Sequence, residues 1–232
     1  MPVIKLSNQL QSLPLFQGMS SEEMSAVISQ TRFEFDTADE REHIVLRNQS
    51  CSVLICVLSG SIQCEKTSFD NTYSFIQQQE APCLIEPECF FGLKQIYSCS
   101  AMATTKCNLL KITKMEMMRL MNNHLPFRLN VINMLATKWQ TADRLHWTMP
   151  PNGIEQKMAY FILTHCFLPS NSANIRITMQ TLANEIHESR LNVSRTLHRL
   201  EQAHVLEMQR EMIYVADIEK LCKECHLNSN IR

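Results

Sequence analysis

Residues 178 to 199 read TMQTLANEIHESRLNVSRTLHR, and this stretch decides the fold of the C-terminal part of the chain. Its apolar residues recur three and four positions apart on both sides of His187 and Glu188, which predicts two short helices joined by a tight turn. Thr178 and Ser189 suit the cap positions, because a hydroxyl oxygen accepts a hydrogen bond from a free N–H of the first turn. The pattern predicts a helix-turn-helix, whose second helix enters the major groove of DNA.

The predicted second helix has an outer polar face that suits DNA. Arginine can donate two hydrogen bonds to guanine, asparagine can pair with adenine, and arginine or serine can bind a phosphate. The alternative is an ordinary solvated helix, since amphipathic helices are common and the turn residue His187 lies where glycine is usual. Histidine nevertheless tolerates a positive φ. The outer face carries Arg190, Asn192, Arg195 and Arg199.

A small hairpin is predicted after the second helix. Residues 205–208 and 212–215 alternate around the polar Gln209-Arg210-Glu211, as in the wing of a winged helix. Between residues 176 and 212 there are five arginines and five glutamates. Specific DNA binding would therefore depend on local clustering of the arginines and on dimerisation more than on the overall electrostatic field of the protein.

Composition gives the general class of the protein. The 232 residues suffice for two modest domains, and 22 basic against 23 acidic residues give a net charge of −1, which does not by itself indicate nucleic-acid binding. No run approaches the roughly 20 apolar residues that cross a bilayer, and the first residues lack the apolar core of a signal peptide. We expect a cytoplasmic protein without a membrane partner, whose ten cysteines are reduced and mostly buried.

Short apolar runs before residue 113 predict an antiparallel β-roll or barrel. Helical patterns flank it at residues 21–29 and 114–121. The runs are 43–46, 53–58, 61–64, 73–76, 83–85 and 109–112.

A long helix is predicted from Pro126 to about Trp147, followed by a hinge at TMPPNG, residues 148–153. Its apolar residues recur as in a coiled-coil seam, and a helix leaving a barrel has little else to cover them, so we predict a parallel homodimer. The alternative is a helix packed wholly on its own domain. We expect an α+β chain with a sensory roll (1–124), a dimerisation helix (125–147) and a winged helix-turn-helix domain (148–232). The predicted dimer interface is Leu129, Ile132, Leu135, Ala136, Trp139 and Ala142.

This order of elements resembles the Crp/Fnr family of bacterial transcription regulators over nearly the whole chain. Local matches are LPLFQGMSSEEM at 13–24, VLSGSI at 57–62 and FFGLKQIY at 90–97. The resemblance implies a sensory domain that binds an effector, dimerising long helices, and paired recognition helices in successive major grooves of a near-palindromic site. RNA polymerase is a further expected partner.

The resemblance also implies roles for single residues. Arg190 and Arg195 match positions that contact bases, whereas Leu191 lies where many members have glutamate. This difference removes an acceptor for cytosine and suggests another preferred sequence, with apolar contact to a thymine methyl. Phosphate-holding positions are matched by Thr178, Gln180 and Ser189.

The effector region departs from the family pattern. Cyclic-nucleotide-binding members follow Phe-x-Gly with glutamate and use an arginine against the cyclic phosphate, but here Gly92 precedes Leu93 and Cys99 takes the arginine position. Burying a phosphate without its cation costs several kcal/mol, so we expect no useful affinity for cyclic AMP unless Lys94 or Lys106 substitutes. The expected pocket residues are Phe91, Gly92, Leu93, Cys99, Ser100, Ala101, Gln140 and Thr141.

The cysteines leave a second sensory interpretation open. Cys222-Lys-Glu-Cys225-His226 spells a haem-attachment motif, although attachment requires export and coincidence is favoured. Cys83, Cys89 and Cys99 could form a haem, nitric oxide or thiol site, or simply pack in the barrel. No cysteine precedes position 51, which disfavours the family's N-terminal iron–sulfur cluster.

No enzyme, metal site or cofactor is predicted. A metal-dependent barrel needs clustered histidines, and the first 123 residues contain a single histidine, His43. The functional alternatives are a redox-, haem- or nitric oxide-responsive regulator, and a regulator that acts chiefly through protein contacts with weak DNA binding.

Overall fold

The computed structural model describes residues 3–146, 151–167 and 171–227 and forms two compact units. The first unit spans residues 1–63 and 79–140, and the second spans residues 64–78 and 141–232. The predicted hinge at 148–153 therefore lies partly outside the described residues. Within the described ranges, no helix combines the length and the apolar character that a membrane crossing requires.

The first unit is an antiparallel β-roll with flanking helices. The helices up to residue 146 are α1 (Val3–Gln11), α2 (Ser21–Gln30), α3 (Lys114–Asn123) and α4 (Leu125–His146). The strands in the same part of the chain are β1 (Glu34–Ala38), β2 (His43–Val45), β3 (Val53–Ser59), β4 (Ser61–Thr67), β5 (Ser74–Glu80), β6 (Cys83–Ile85), β7 (Ser100–Ala103) and β8 (Cys107–Thr113). Strands β1, β8, β3 and β6 are neighbours in that order in one sheet, and β4, β7 and β2 are neighbours in another. The predicted roll is confirmed, but β1 and β7 were not predicted.

Local signals in the sequence fix several of these elements. Ser20 caps α2 by accepting from Glu23 N, while the Glu23 carboxylate accepts from Ser20 N, so both form a capping box. Gly60 joins β3 to β4 with a φ of 95°. A Cβ there would lie 2.6 Å from the Lys106 carbonyl oxygen, so the tight turn requires glycine.

The first turns of α4 pack on their own unit. Phe127 and Val131 are buried, and the ring of Phe127 lies 5.1 Å from that of Phe16. The Asn130 amide donates to the carbonyl oxygens of Leu15 (3.2 Å) and Gln17 (2.7 Å). The beginning of α4 is therefore fixed by contacts on one face, while its other face is open.

The second unit is a small α+β domain with one contiguous core. Its further elements are α5 (Ile154–His165), β9 (Ala173–Arg176), α6 (Met179–Glu185), α7 (Arg190–Gln202), β10 (Glu207–Gln209), β11 (Met212–Val215) and α8 (Ile218–Glu224). Strands β10, β11, β9 and β5 are neighbours in that order, and Ile175 of β9 pairs with Ile213 on one side and Phe75 on the other. Helices α5, α6, α7 and α8 contribute apolar residues to this core.

Candidate nucleic-acid interface

Helices α6 and α7 form the predicted helix-turn-helix. Thr178 caps α6 by accepting from Thr181 N, and Ser189 caps α7 by accepting from Asn192 N. His187 takes the left-handed conformation of the turn, with a φ of 53°. The predicted caps and turn are confirmed.

The inner faces of the two helices are buried together. The Ala183 side chain is buried, and its carbonyl oxygen accepts from Glu188 N of the turn at 2.9 Å. The shared core holds α7 in a fixed orientation and leaves its opposite face to solvent. The buried residues of the pair include Leu182, Ala183, Ile186, Val193, Thr196, Leu197 and Leu200.

The outer face of α7 combines cationic, amide and aliphatic side chains. Arg190, Leu191, Asn192 and Arg195 are exposed. Arg199 is also exposed, but its guanidinium is paired with the Glu155 carboxylate of α5. Within the described part of the chain, the guanidinium groups of Arg190 and Arg195 take part in no ion pair, so they remain available to an anionic or hydrogen-bonding partner.

Ion pairs also brace the turn that precedes α7. Lys157 Nζ lies 2.7 Å from Glu188 Oε1, and this hydrogen bond lowers the pKa of the Glu188 carboxyl. Together with the Arg199–Glu155 pair, it links α5 to the turn before α7 and to the last turn of α7. The same carboxylates reduce the local positive charge of the face.

The predicted wing is confirmed as the β10–β11 hairpin, with Glu211 in the left-handed conformation at its turn. A cleft of about 410 Å³ opens between this hairpin and the two helices. Gln180 and Arg190 lie at the cleft beside the methionines Met179, Met208 and Met212. Thr178 and Gln180, the predicted phosphate contacts, are thus close to the first residue of α7.

The outer part of the β4–β5 hairpin, residues 64–78, belongs to the second unit and extends its sheet through β5. The Gln77 side chain accepts from Phe167 N (2.8 Å) and donates to Ser172 O (3.4 Å). Tyr73 and Phe75 surround His165 of α5 at ring distances of 5.5 and 5.2 Å. Nothing in the local sequence pattern indicated this contact.

The residues expected in the effector pocket have different environments. Cys99 and Ala101 are buried and Phe91 is half-buried, whereas the Leu93 side chain is fully exposed. Ser100 Oγ accepts from Arg47 N at 3.0 Å, at the start of β7. Gln140 and Thr141 lie on α4. Of the two lysines considered as phosphate partners, Lys106 pairs with Asp39 at 2.9 Å.

A buried carboxylate that was not predicted lies beside this region. Glu86 is only 6% exposed and takes a left-handed conformation. Its Oε2 accepts from Ser98 N (2.6 Å) and Cys99 N (3.2 Å), and its Oε1 accepts from Ser98 Oγ. The backbone amides next to the position of the family's arginine therefore already bind an anion of the chain itself.

The ten cysteines, all within the described ranges, are free thiols, and eight are buried. Burial raises the pKa of Cys89 and of Cys225 to about 12, and it also raises the pKa of Cys51, Cys56 and Cys107. A thiol with a raised pKa has little thiolate at neutral pH, and the thiolate is the nucleophile and metal ligand. In the described residues no three His, Cys, Asp or Glu side chains form a group that could hold a metal ion.

The outer side of α4 exposes the predicted dimer stripe. Leu129, Ile132 and Trp139 are 47%, 51% and 70% exposed, and Ala136 and Ala142 are also exposed. Leu135 is half-buried. Large apolar side chains in one row along a helix are unusual on a monomer's surface and are typical of contact surfaces.

The second unit thus has the architecture of a winged helix-turn-helix DNA-binding domain. Residues 156–224 match the family model of the Crp-like helix-turn-helix domain. With the β-roll and the long helix, this confirms the resemblance of the chain to Crp/Fnr-type regulators. No match to the chain was found among curated proteins.

Two solved structures show the same fold over nearly the whole chain. The catabolite activator protein of Thermus thermophilus is 21% identical with a TM-score of 0.50, and the match covers 91% of this chain and 97% of that one. A putative transcriptional regulator of the Crp/Fnr family from Eubacterium rectale is 17% identical with a TM-score of 0.50, over 92% and 98% of the two chains. At these identities the likeness concerns the fold.

Proposed function

We propose that this protein is a homodimeric, sequence-specific transcription regulator that binds a near-palindromic DNA site and contacts RNA polymerase. One observation carries the proposal: Arg190 and Arg195 project from a rigidly packed α7 inside a Crp-like helix-turn-helix domain, and neither forms an ion pair with another described residue. Residues 1–124 act as the sensory roll, 125–147 as the dimerisation helix and 148–232 as the DNA-binding domain.

In this proposal α7 is the recognition helix. Arg190 and Arg195 contact base edges with Asn192 beside them, while Thr178, Gln180 and Ser189 contact phosphates. Arg199 supports the helix through Glu155 and reaches a phosphate only if that pair opens. In the dimer, formed along the Leu129, Ile132 and Trp139 stripe, the two recognition helices reach half-sites about 34 Å apart.

We also propose that the sensory roll does not bind cyclic AMP. A cyclic phosphate needs a cation, but Cys99 takes the arginine position and Lys106 is paired with Asp39. The amides of Ser98 and Cys99 are occupied by the Glu86 carboxylate, which would also repel a phosphate. These contacts support an effector of another kind, or none.

The test is a mobility-shift titration of the full-length protein at two salt concentrations, with duplexes selected from a random library. We expect tight, salt-sensitive binding that cyclic AMP does not change. The variant Arg190→Ala with Arg195→Ala should bind at least about 100-fold more weakly, because each lost arginine–guanine contact removes about 1–3 kcal/mol. Arg32→Ala with Arg41→Ala is the matched control, since it removes the same charge from exposed sites of the first unit.

If the α7 double variant bound as well as the parent, the assignment of the recognition helix would be wrong. Binding that appeared only after adding cyclic AMP would overturn the proposal for the roll.

A regulator that acts chiefly through protein contacts is the second candidate. The observation that favours it is the neutralisation of Arg199 and Lys157 by carboxylates next to α7. This candidate would be supported if the affinity for every selected duplex were no higher than the affinity for non-specific DNA. A redox-responsive regulator requires reactive thiols, and the raised pKa of Cys51, Cys89 and Cys225 argues against it. For a regulator without a redox response, DNA affinity should be the same with and without a thiol reductant.

A further inference from the structure

A leucine is exposed at the beginning of the recognition helix. Leu191 is the second residue of α7 and its side chain is 59% exposed, although its neighbours Arg190 and Asn192 are polar. On the opposite face of α7, Val193 and Leu197 are buried and supply its apolar contacts with the core. The packing of the second unit therefore does not explain an aliphatic residue at position 191.

The position of Leu191 relates it to a DNA-contacting side chain. Residues four apart on a helix are surface neighbours, about 5–6 Å apart at Cβ, so Leu191 and Arg195 share one stripe of α7. Arg195 is proposed to read a base edge from that stripe. Leu191 therefore approaches the adjoining base pair, one turn nearer the N-terminus of α7.

The chemistry of leucine restricts what it can read there. An aliphatic side chain neither donates nor accepts hydrogen bonds, so it gains free energy only by covering an apolar surface. In the major groove, thymine offers its C5 methyl group, whereas the other bases offer donors and acceptors. Facing those groups, leucine would displace water without replacing its hydrogen bonds.

We propose that Leu191 is a specificity-determining residue that reads a thymine in each half-site through the C5 methyl group. This inference rests on the proposed DNA binding and assigns one base preference within it. It also predicts that the methyl group itself, and not the hydrogen-bonding pattern of the A·T pair, carries the preference.

The experiment replaces thymine by deoxyuridine, which lacks only the methyl group. Each thymine of the tightest selected duplex is replaced in turn, with the symmetry-related position, and affinity is measured for the full-length protein. For the parent, replacement at one position should lower the affinity about fourfold per half-site, because one methyl group is no longer covered. Leu191→Ala should lose that dependence, whereas Leu191→Met should keep it. Leu46→Ala, at an exposed leucine of the first unit, is the matched control.

Three outcomes separate this proposal from the proposed function. A methyl effect that disappears in Leu191→Ala supports the reading of thymine. Deoxyuridine effects that are equal in the parent and in Leu191→Ala overturn it, while DNA binding through Arg190 and Arg195 stands. Failure to enrich any duplex overturns the proposed function, and the role of Leu191 with it.

Discussion

The hydroxyl group of Tyr73 donates to Nε2 of His165 over 3.0 Å, joining the β4–β5 hairpin to helix α5. The direction follows from the other ring nitrogen: Nδ1 lies 2.8 Å from the Phe161 carbonyl oxygen, which can only accept, so Nδ1 carries the proton. Burial lowers the pKa of this imidazole, which favours its neutral form, and Phe75 stacks on it. Protonation of Nε2 would remove this acceptor, so the Tyr73 hydroxyl would have to turn its proton away and accept instead.

The first prediction concerns acid stability. Burial lowers the pKa of His165, although the bond to Phe161 O and the charge of Glu185 partly oppose this, and Lys66 adds to it. Above a pH of about 6.5, the usual pKa of histidine, neither state of the chain takes a proton there. Below it the unfolded chain takes up a proton that the folded unit excludes, so stability falls with falling pH, by up to about 1.4 kcal/mol per pH unit.

Denaturant unfolding at several pH values between 7.5 and 5 measures this loss. His165→Phe keeps an aromatic ring beside Phe75 and cannot titrate, so the unfolding free energy should depend less on pH below 6.5. Equal pH dependence in the parent and the variant would contradict the role assigned to His165. His198→Phe, at an exposed position of α7, is the control.

The second prediction concerns the Glu86 carboxylate. Glu86→Ala would leave Ser98 N and Cys99 N without their acceptor in a buried site. We expect the free energy of unfolding to fall by about 2–4 kcal/mol, since buried hydrogen bonds to a charged group contribute about 1.5–3 kcal/mol each and do not add fully. Glu86→Gln, which keeps one acceptor, should lose less. Chemical denaturation measures both.

Glu88→Ala provides the comparison for this site. Glu88 pairs with Lys138 at 2.6 Å, but both side chains are about 40% exposed, so its loss should change stability by less than about 1 kcal/mol. If the Glu86→Ala variant were as stable as the Glu88→Ala variant, the buried carboxylate would not be what holds residues 98 and 99 in place.

The third prediction concerns the turn between β3 and β4. In Gly60→Ala the new Cβ would meet the Lys106 carbonyl oxygen at 2.6 Å and Cys107 Sγ at 2.8 Å, at a φ of 95°. Backbone strain and the shift of neighbours should together cost about 3 kcal/mol or more. Gly92→Ala is matched in φ, at 103°, but its Cβ would meet open space, so it should cost only about 1–2 kcal/mol. Similar melting temperatures for the two variants would contradict this difference.

Local patterns in the sequence were sufficient for the helix-turn-helix and most of the roll. Thr178 and Ser189 cap helices through contacts three residues away, and the spacing of Leu182, Val193 and Leu197 follows from helical geometry alone. Such signals are contained in a short window of sequence. The Crp-like domain at residues 156–224 confirms what they indicated.

Contacts between distant segments could not be predicted in this way. Phe75 of β5 pairs with Ile175 of β9, one hundred residues later, and no local pattern selects that partner. Glu86 has the sequence context of an ordinary surface residue after the apolar run of β6, and only the return of Ser98 to its carboxylate makes it a buried anchor. The pairing of Arg199 with Glu155 likewise depends on how α5 packs against α7.

The last prediction concerns the exposed stripe of α4. Trp139 is 70% exposed and lies in one row with Ile132 and Leu129, while Phe127 and Val131 on the opposite face are buried. If a second copy covers this stripe, a charge at its centre would be buried without a partner, which costs several kcal/mol. We therefore expect the parent to be a dimer at micromolar concentration and Trp139→Glu to be a monomer that retains its helical content. Light scattering after size-exclusion chromatography measures the mass.

Phe69→Glu is the matched control for the dimer. Phe69 is almost fully exposed in the turn of the β4–β5 hairpin, so the same change of charge and loss of an aromatic ring should leave the mass at twice that of one chain. Because paired recognition helices share one near-palindromic site, Trp139→Glu should also weaken DNA binding more than Phe69→Glu does. A parent that is monomeric at all concentrations would instead mean that α4 packs only on its own unit, and it would remove the basis for a two-fold symmetric DNA site.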